Sequence, residues 1–283
     1  MPIRTMLSGV VPPLVIAAVL LLAAWRPWKR GTVSRGDWGS ALALALSYAV
    51  ADRLVRASWP GWPPATPDRW LPIIGLAAGV LFAFDPFRAG RKWYGYGALA
   101  VAFAALTPLV WDGLTSRASL PHTLLITFLY AVVMVIIWSD ALRAGRPPRA
   151  AGTALVLLIV AVGASLTFVQ SFVLTFAQMA GAIAAVTGVT MLVALWRPDL
   201  DVLRGHVPVY SILVVGLIAV CSEMTLWSAL ALLAAAAMPG LTTSNLTARL
   251  RPWQRTVTAA AAAAGLCAVA VWKSPSGFDF GGY

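Results

Sequence analysis

The 47 residues from Ala150 to Trp196, "AAGTALVLLIVAVGASLTFVQSFVLTFAQMAGAIAAVTGVTMLVALW", contain no Asp, Glu, Lys, Arg or His. A helix that crosses a bilayer needs roughly 20 apolar residues. This run is too long for one crossing and long enough for two. Its most polar part lies between Gln170 and Gln178, and the sequence predicts a turn there. A membrane β-barrel would show segments of about ten residues with alternating polarity, and this run does not alternate. It reads as a helical hairpin in lipid.

The rest of the chain carries the same signature. No charged residue falls from Thr5 to Trp25, from Trp93 to Trp111 or from Ala118 to Ser139. Of the 283 residues 60% are hydrophobic and 11% charged, whereas a soluble domain is about a quarter charged. The expected fold is all-α, a polytopic transmembrane helix bundle of about ten spans. Beyond the hairpin the expected helices cover Leu7–Trp25, Trp38–Val55, Trp70–Phe84, Trp93–Trp111, Leu120–Ser139, the segment Val207–Pro239, and Thr256–Trp272. Residues 1–272 form one integral domain, followed by a polar Gly-rich tail over 273–283. The first apolar run ends in "LLAAWRPWKRG", a basic cluster rather than a small-residue cleavage site, so it reads as an uncleaved helix.

Val207–Pro239 decides between nine and ten spans. As one helix its 33 residues would extend about 50 Å, against a hydrocarbon core of about 30 Å. A break near Ser222–Thr225 gives two short spans and ten in all. It also places 15 of the 21 basic residues on one side, against a split of 13 to 8 for a single helix. Cytoplasmic loops favour Lys and Arg, so ten spans are expected. The basic loops are then cytoplasmic and both termini face away, in a bacterial cytoplasmic membrane. Trp25, Trp38, Trp196 and Trp253 fall near the basic side and Trp59, Trp62, Trp70 and Trp272 near the other, as indole favours the headgroup level.

The net charge of +11 does not point to nucleic acid, because the basic residues sit in short loops beside apolar spans. Those loops are expected to attract anionic lipid headgroups. Cys221 and Cys267 lie inside apolar segments and form no CxxC pair. Trp25, Phe84, Trp138, Trp196 and Trp253 recur at spacings of 59, 54, 58 and 57. A duplicated hairpin would explain this, as in repeat-built transporters. So would any series of hairpins crossing one bilayer, which is the simpler account.

Glu223 is the only formal charge between Val207 and Ala248. A carboxylate in a membrane core costs at least about 2.5 kcal/mol and is a functional candidate by default. With Ser222 and Thr225 beside it, it could hold a proton or a solute. At an interfacial turn it would be merely solvated, which is what ten spans imply. Gln170 and Gln178 could line a cavity or mark the hairpin turn. Arg88 and Arg91, and Arg143 and Arg146, follow Asp85 and Asp140 in repeated "RAGR" motifs. They are candidate headgroup or anion contacts, or else local surface pairs. Asp52 and Arg53 read as interfacial. His122 and His206 fall on opposite sides, which disfavours bis-histidine haem, and no cofactor is expected. No catalytic or metal-ligand constellation is visible, so the chain does not read as an enzyme. Ala177, Gly181 and Ala185, the pair Ala184 and Gly188, and the pair Gly75 and Gly79 form small-residue faces. Such faces let helices pack closely, within the bundle or against a partner subunit or second copy. The expected function is a permease for a small neutral or weakly polar solute. The alternative is a non-catalytic membrane subunit or scaffold of a larger complex.

Overall fold

The computed structural model describes residues 3–25, 37–83 and 149–274, except 199, 201, 222, 243–246 and 248. Among the described residues there are eight α-helices and no strand: α1 Ile3–Trp25, α2 Asp37–Arg56, α3 Trp70–Ala83, α4 Ala150–Gln170, α5 Leu174–Trp196, α6 Leu203–Val220, α7 Leu226–Ala236 and α8 Pro252–Lys273. The spans expected at Trp93–Trp111 and Leu120–Ser139 lie outside the described residues. Among the described residues four helices, α4, α5, α6 and α8, are long and apolar enough to cross a membrane, which does not show the ten crossings expected. α3 has 14 residues, and α2 carries Arg53 and Arg56 in its last turn.

The long uncharged run does fold as a hairpin. α4 stops at Gln170 because the backbone turns left-handed at Phe172, with φ 60°. The Phe172 amide donates to the Val169 carbonyl at 3.1 Å and the Val173 amide to the Phe168 carbonyl at 3.0 Å. This is the paired closure that satisfies the last carbonyls of a helix, most often built on glycine. The turn is shorter than the predicted window, so Gln178 lies within α5 rather than in the turn.

Val207–Pro239 breaks, with the first helix starting four residues earlier than expected. α6 ends at Val220, and Thr225 starts α7 by accepting a hydrogen bond from the Ser228 amide at 3.2 Å. An N-cap threonine satisfies a donor that no helical carbonyl can reach. Past α7 the chain tightens into a 3-10 turn over Met238–Thr242.

Contacts fix the directions of the helices. Ser47 on α2 donates to the Pro13 carbonyl of α1 at 2.9 Å, while a Cβ on Gly39 would meet Leu20 and Ala24, so α1 and α2 are antiparallel. Ser165 donates to the Ala177 carbonyl at 2.8 Å across the α4–α5 hairpin. Ser228 on α7 donates to the Ala270 carbonyl of α8 at 2.8 Å. At the end shared by α1 and α5, Trp25 and Trp196 meet edge-on at 4.9 Å, with the Arg197 guanidinium 5.8 Å from the Trp25 ring.

α6 is the central helix, with every residue from Gly205 to Ile218 buried. α8 is peripheral and buries only Ala259, Ala263, Cys267 and Ala270, the side turned to α4 and α7. Its outer side exposes Trp253, Val257, Val269 and Trp272. A helix so apolar on its exposed side suits lipid as its neighbour.

Glycines set the spacing. A Cβ on Gly79 would strike Ala45 of α2, one on Gly163 would strike Cys267 of α8, and one on Gly75 would come within 2.8 Å of Leu213. At Gly181 and Gly188 the nearest atoms would be at 3.8 and 3.9 Å, an ordinary contact. Gly79→Val and Gly163→Val are therefore expected to destabilise the bundle by about 1–3 kcal/mol or more. Gly188→Ala is expected to be neutral. Thermal unfolding in detergent followed by size-exclusion chromatography checks the difference.

Candidate functional site

Three polar clusters interrupt the apolar bundle. The first is the turn between α6 and α7, where the sequence placed its strongest candidate. Glu223 is exposed there. Ser222 lies outside the described residues. Thr225 serves the fold: its hydroxyl donates to the Lys273 carbonyl at 3.0 Å and lies 2.8 Å from the Ser228 hydroxyl. Ser274 Oγ lies 3.3 Å from that same Ser228 hydroxyl. The cluster caps α7 and ties it to the end of α8. Gln170 and Gln178 are both partly buried, one at the last residue of α4 and the other in the second turn of α5. Arg88, Arg91, Arg143 and Arg146 lie outside the described residues.

The second cluster joins the end of α2 to the start of α3. Asp52, in the last turn of α2, is buried to 1% exposure. Arg56 Nε lies 2.7 Å from one Asp52 oxygen, and Arg69 Nη1 lies 3.8 Å from the other. Arg56 also pairs with Asp68 in the 3-10 turn Pro67–Arg69. Asp52 and Arg53 both read as interfacial in the sequence, and Asp52 proves to be the buried centre of a partly exposed ion-pair network. Its cations come from Arg56, one turn on, and from Arg69 across a proline-rich loop. Burial pushes the Asp68 carboxyl up, but hydrogen bonds from Thr66 and Arg56 and the charge of Arg56 outweigh it and hold the group below its ordinary value.

The third cluster lies where α4, α5 and α6 meet, with α2 alongside. His206 is fully buried, and its Nε2 sits 3.1 Å from the Thr187 hydroxyl of α5. The ring also interacts with the backbone of Ser40 on α2. One turn along α6, the Tyr210 hydroxyl donates to the Leu157 carbonyl of α4 at 2.6 Å. The His206 and Tyr210 rings lie 6.0 Å apart. Neighbouring hydroxyls turn back on their own helices: Thr187 to Ile183 at 2.8 Å, Thr190 to Val186 at 3.0 Å and Ser211 to Val207 at 2.9 Å. Such back-bonding hides a hydroxyl in an apolar environment. His206 is the fourth residue of α6 and Leu157 the eighth of α4, so the cluster lies one to two turns in from the ends of those helices.

This cluster is all but silent in the sequence. Its only signals are a histidine four residues before a tyrosine on α6 and threonines at 187 and 190 on α5, each an unremarkable pair on its own helix. Among the described residues no group of three or more His, Cys, Asp or Glu side chains could hold a metal ion. Comparison with known proteins gives nothing to set beside this arrangement: no family model, curated protein or solved structure matches the chain.

The ion-pair network has a pH signature. Asp68 has a depressed folded-state pKa, so its contribution is present above about pH 4 and lost as the pH falls below it. Arg56→Met leaves Asp52 buried without its nearest cation and is expected to cost about 3 kcal/mol near neutral pH. It should also flatten the acid limb of the profile, because Asp68 loses the partner that depresses it. Thermal melts of both proteins from neutral to acidic buffer check the two effects together.

Proposed function

We propose that this protein is a permease with about ten transmembrane helices, carrying a small neutral or weakly polar solute. The observation that supports it is the uncharged hydrogen-bonding cluster of Thr187, His206 and Tyr210, buried inside helices apolar enough to cross a membrane. Buried polar groups in such helices are expensive and mark solute or ion paths. The cluster presents imidazole and hydroxyl groups rather than carboxylates or guanidinium groups, which suits an uncharged cargo. In this reading α1, α2, α3 and α7 also cross, the last two as short helices, and the spans expected at Trp93–Trp111 and Leu120–Ser139 complete the ten. The basic loops face the cytoplasm of a bacterial cell and touch anionic lipid headgroups, with Arg88, Arg91, Arg143 and Arg146 among the contacts. The protein needs no cofactor and performs no covalent chemistry.

One observation favours the alternative of a membrane scaffold. The outer side of α8 exposes Ala261, Ala264, Gly265 and Ala268 between Trp253 and Trp272, a smooth strip that a partner helix could cover.

Purified protein in sealed liposomes separates the two. Stopped-flow light scattering with glycerol, urea, acetamide and a hexose is expected to show entry of at least one solute about tenfold faster than in empty liposomes. His206→Phe is expected to abolish the gain. Rates equal to empty liposomes for every solute, with a partner subunit co-purifying from the host membrane, would replace the permease with the scaffold.

A further inference from the structure

Two buried polar atoms in the α4–α5–α6 cluster make no hydrogen bond: His206 Nδ1 and Thr153 Oγ1. Both residues are at 0% exposure. Buried side-chain polar atoms are rarely left so, and an unmet group of this kind costs about 1–3 kcal/mol. The Ser40 backbone interacts with the ring without completing a hydrogen bond to Nδ1, and the hydroxyls nearby do not supply what is missing. The Thr187 hydroxyl has one proton and places it on the Ile183 carbonyl at 2.8 Å. Its contact with His206 Nε2 is then accepted from an Nε2–H. That assigns the ring as the neutral Nε2–H tautomer and leaves Nδ1 as a bare lone pair. The hydroxyls of Tyr210, Thr190 and Ser211 have likewise placed their protons on backbone carbonyls.

The two atoms belong to one level of the bundle. α5 runs antiparallel to both α4 and α6, so α4 and α6 run the same way. Tyr210 meets Leu157. His206 is one turn before Tyr210, and Thr153 is one turn before Leu157. The cluster therefore offers an unused acceptor on α6 and, at matching height, an unused hydroxyl on α4.

We propose that His206 Nδ1 and Thr153 Oγ1 form the cargo subsite, and that the cargo is a small uncharged molecule with an N–H or O–H donor next to an oxygen acceptor. The donor goes to Nδ1 and the oxygen accepts from Thr153. A simple amide and a polyol both present this pair. Both atoms are sealed here, so loading requires α4 and α6 to separate. The inference rests on the permease reading, and it names the chemistry which that reading leaves open.

The test uses the full chain in liposomes, labelled with 15N-histidine. His122 and His206 are the only histidines, so His122→Gln leaves one ring to observe. The ring is expected as the Nε2–H tautomer at neutral pH. Acetamide or glycerol is expected to shift the Nδ1 resonance saturably, and which of them does so tells amide from polyol. N,N-dimethylacetamide, which has no donor, is expected to leave it unmoved. Thr153→Val keeps the shape of the side chain and is expected to weaken saturation about tenfold. An Nδ1–H tautomer would make the ring a fixed bridge to Ser40 and overturn the proposal. A resonance that none of the donors moves, or a Thr153→Val protein that saturates like the parent, would also overturn it. Saturable shifts without solute entry would keep the subsite and remove the permease. Solute entry with a silent ring would do the reverse.

Discussion

Close contact between the described helices is built on glycine, and the rest of the structure depends on it. Lipid offers helices no hydrophobic reason to associate, because its tails are as apolar as leucine. What holds such helices together is contact area and the few hydrogen bonds that close contact permits. Gly39 lets α2 touch α1, Gly79 lets α3 touch α2, and Gly163 lets α8 touch α4. At these distances short side chains reach a neighbour's carbonyl, as Ser47 reaches Pro13 and Ser165 reaches Ala177. Tyr210 reaches Leu157 in the same way. Gly75 in the same way brings α3 against Leu213 of the central helix α6.

The same constraint explains how the hydroxyls are distributed. A threonine in an apolar helix must place its proton somewhere, and the carbonyl four residues back is the nearest acceptor. Thr167, Thr187, Thr190 and Ser211 all use it. Thr153 does not, which is why it stands out beside His206. Charge is treated differently. Asp52 is kept at the end of α2, where Arg56 one turn on and Arg69 across the proline-rich loop reach it, and Glu223 is kept at an exposed turn.

Much of the helix layout was legible because charge-free runs and their lengths follow from bilayer thickness. The hairpin in Ala150–Trp196 could be read from length alone, and so could the break in Val207–Pro239. The close-packed role of Gly75 and Gly79 was legible from their four-residue spacing. Gly163 was not, because its partner Cys267 is about a hundred residues away and only the fold brings them together. The His206 cluster was illegible for a related reason. Each of its residues is an ordinary polar residue on its own helix, and its meaning comes from four helices meeting. Glu223 was open to two readings, a buried carboxylate or a turn residue, and the chain exposes it at the break between α6 and α7.

That break is what makes α6 and α7 two helices rather than one, and it lets α4, α6 and α8 run in one direction. Single cysteines at three positions test it most directly: Phe172→Cys, Glu223→Cys and Trp253→Cys, each with Cys221 and Cys267 replaced by alanine. A membrane-impermeant maleimide is added to sealed vesicles and then to opened ones. Positions 172 and 223 are expected to label from one face and position 253 from the other. A protected position 223, or one labelled from the same face as 253, would contradict the turn and with it the arrangement of helices around the buried histidine.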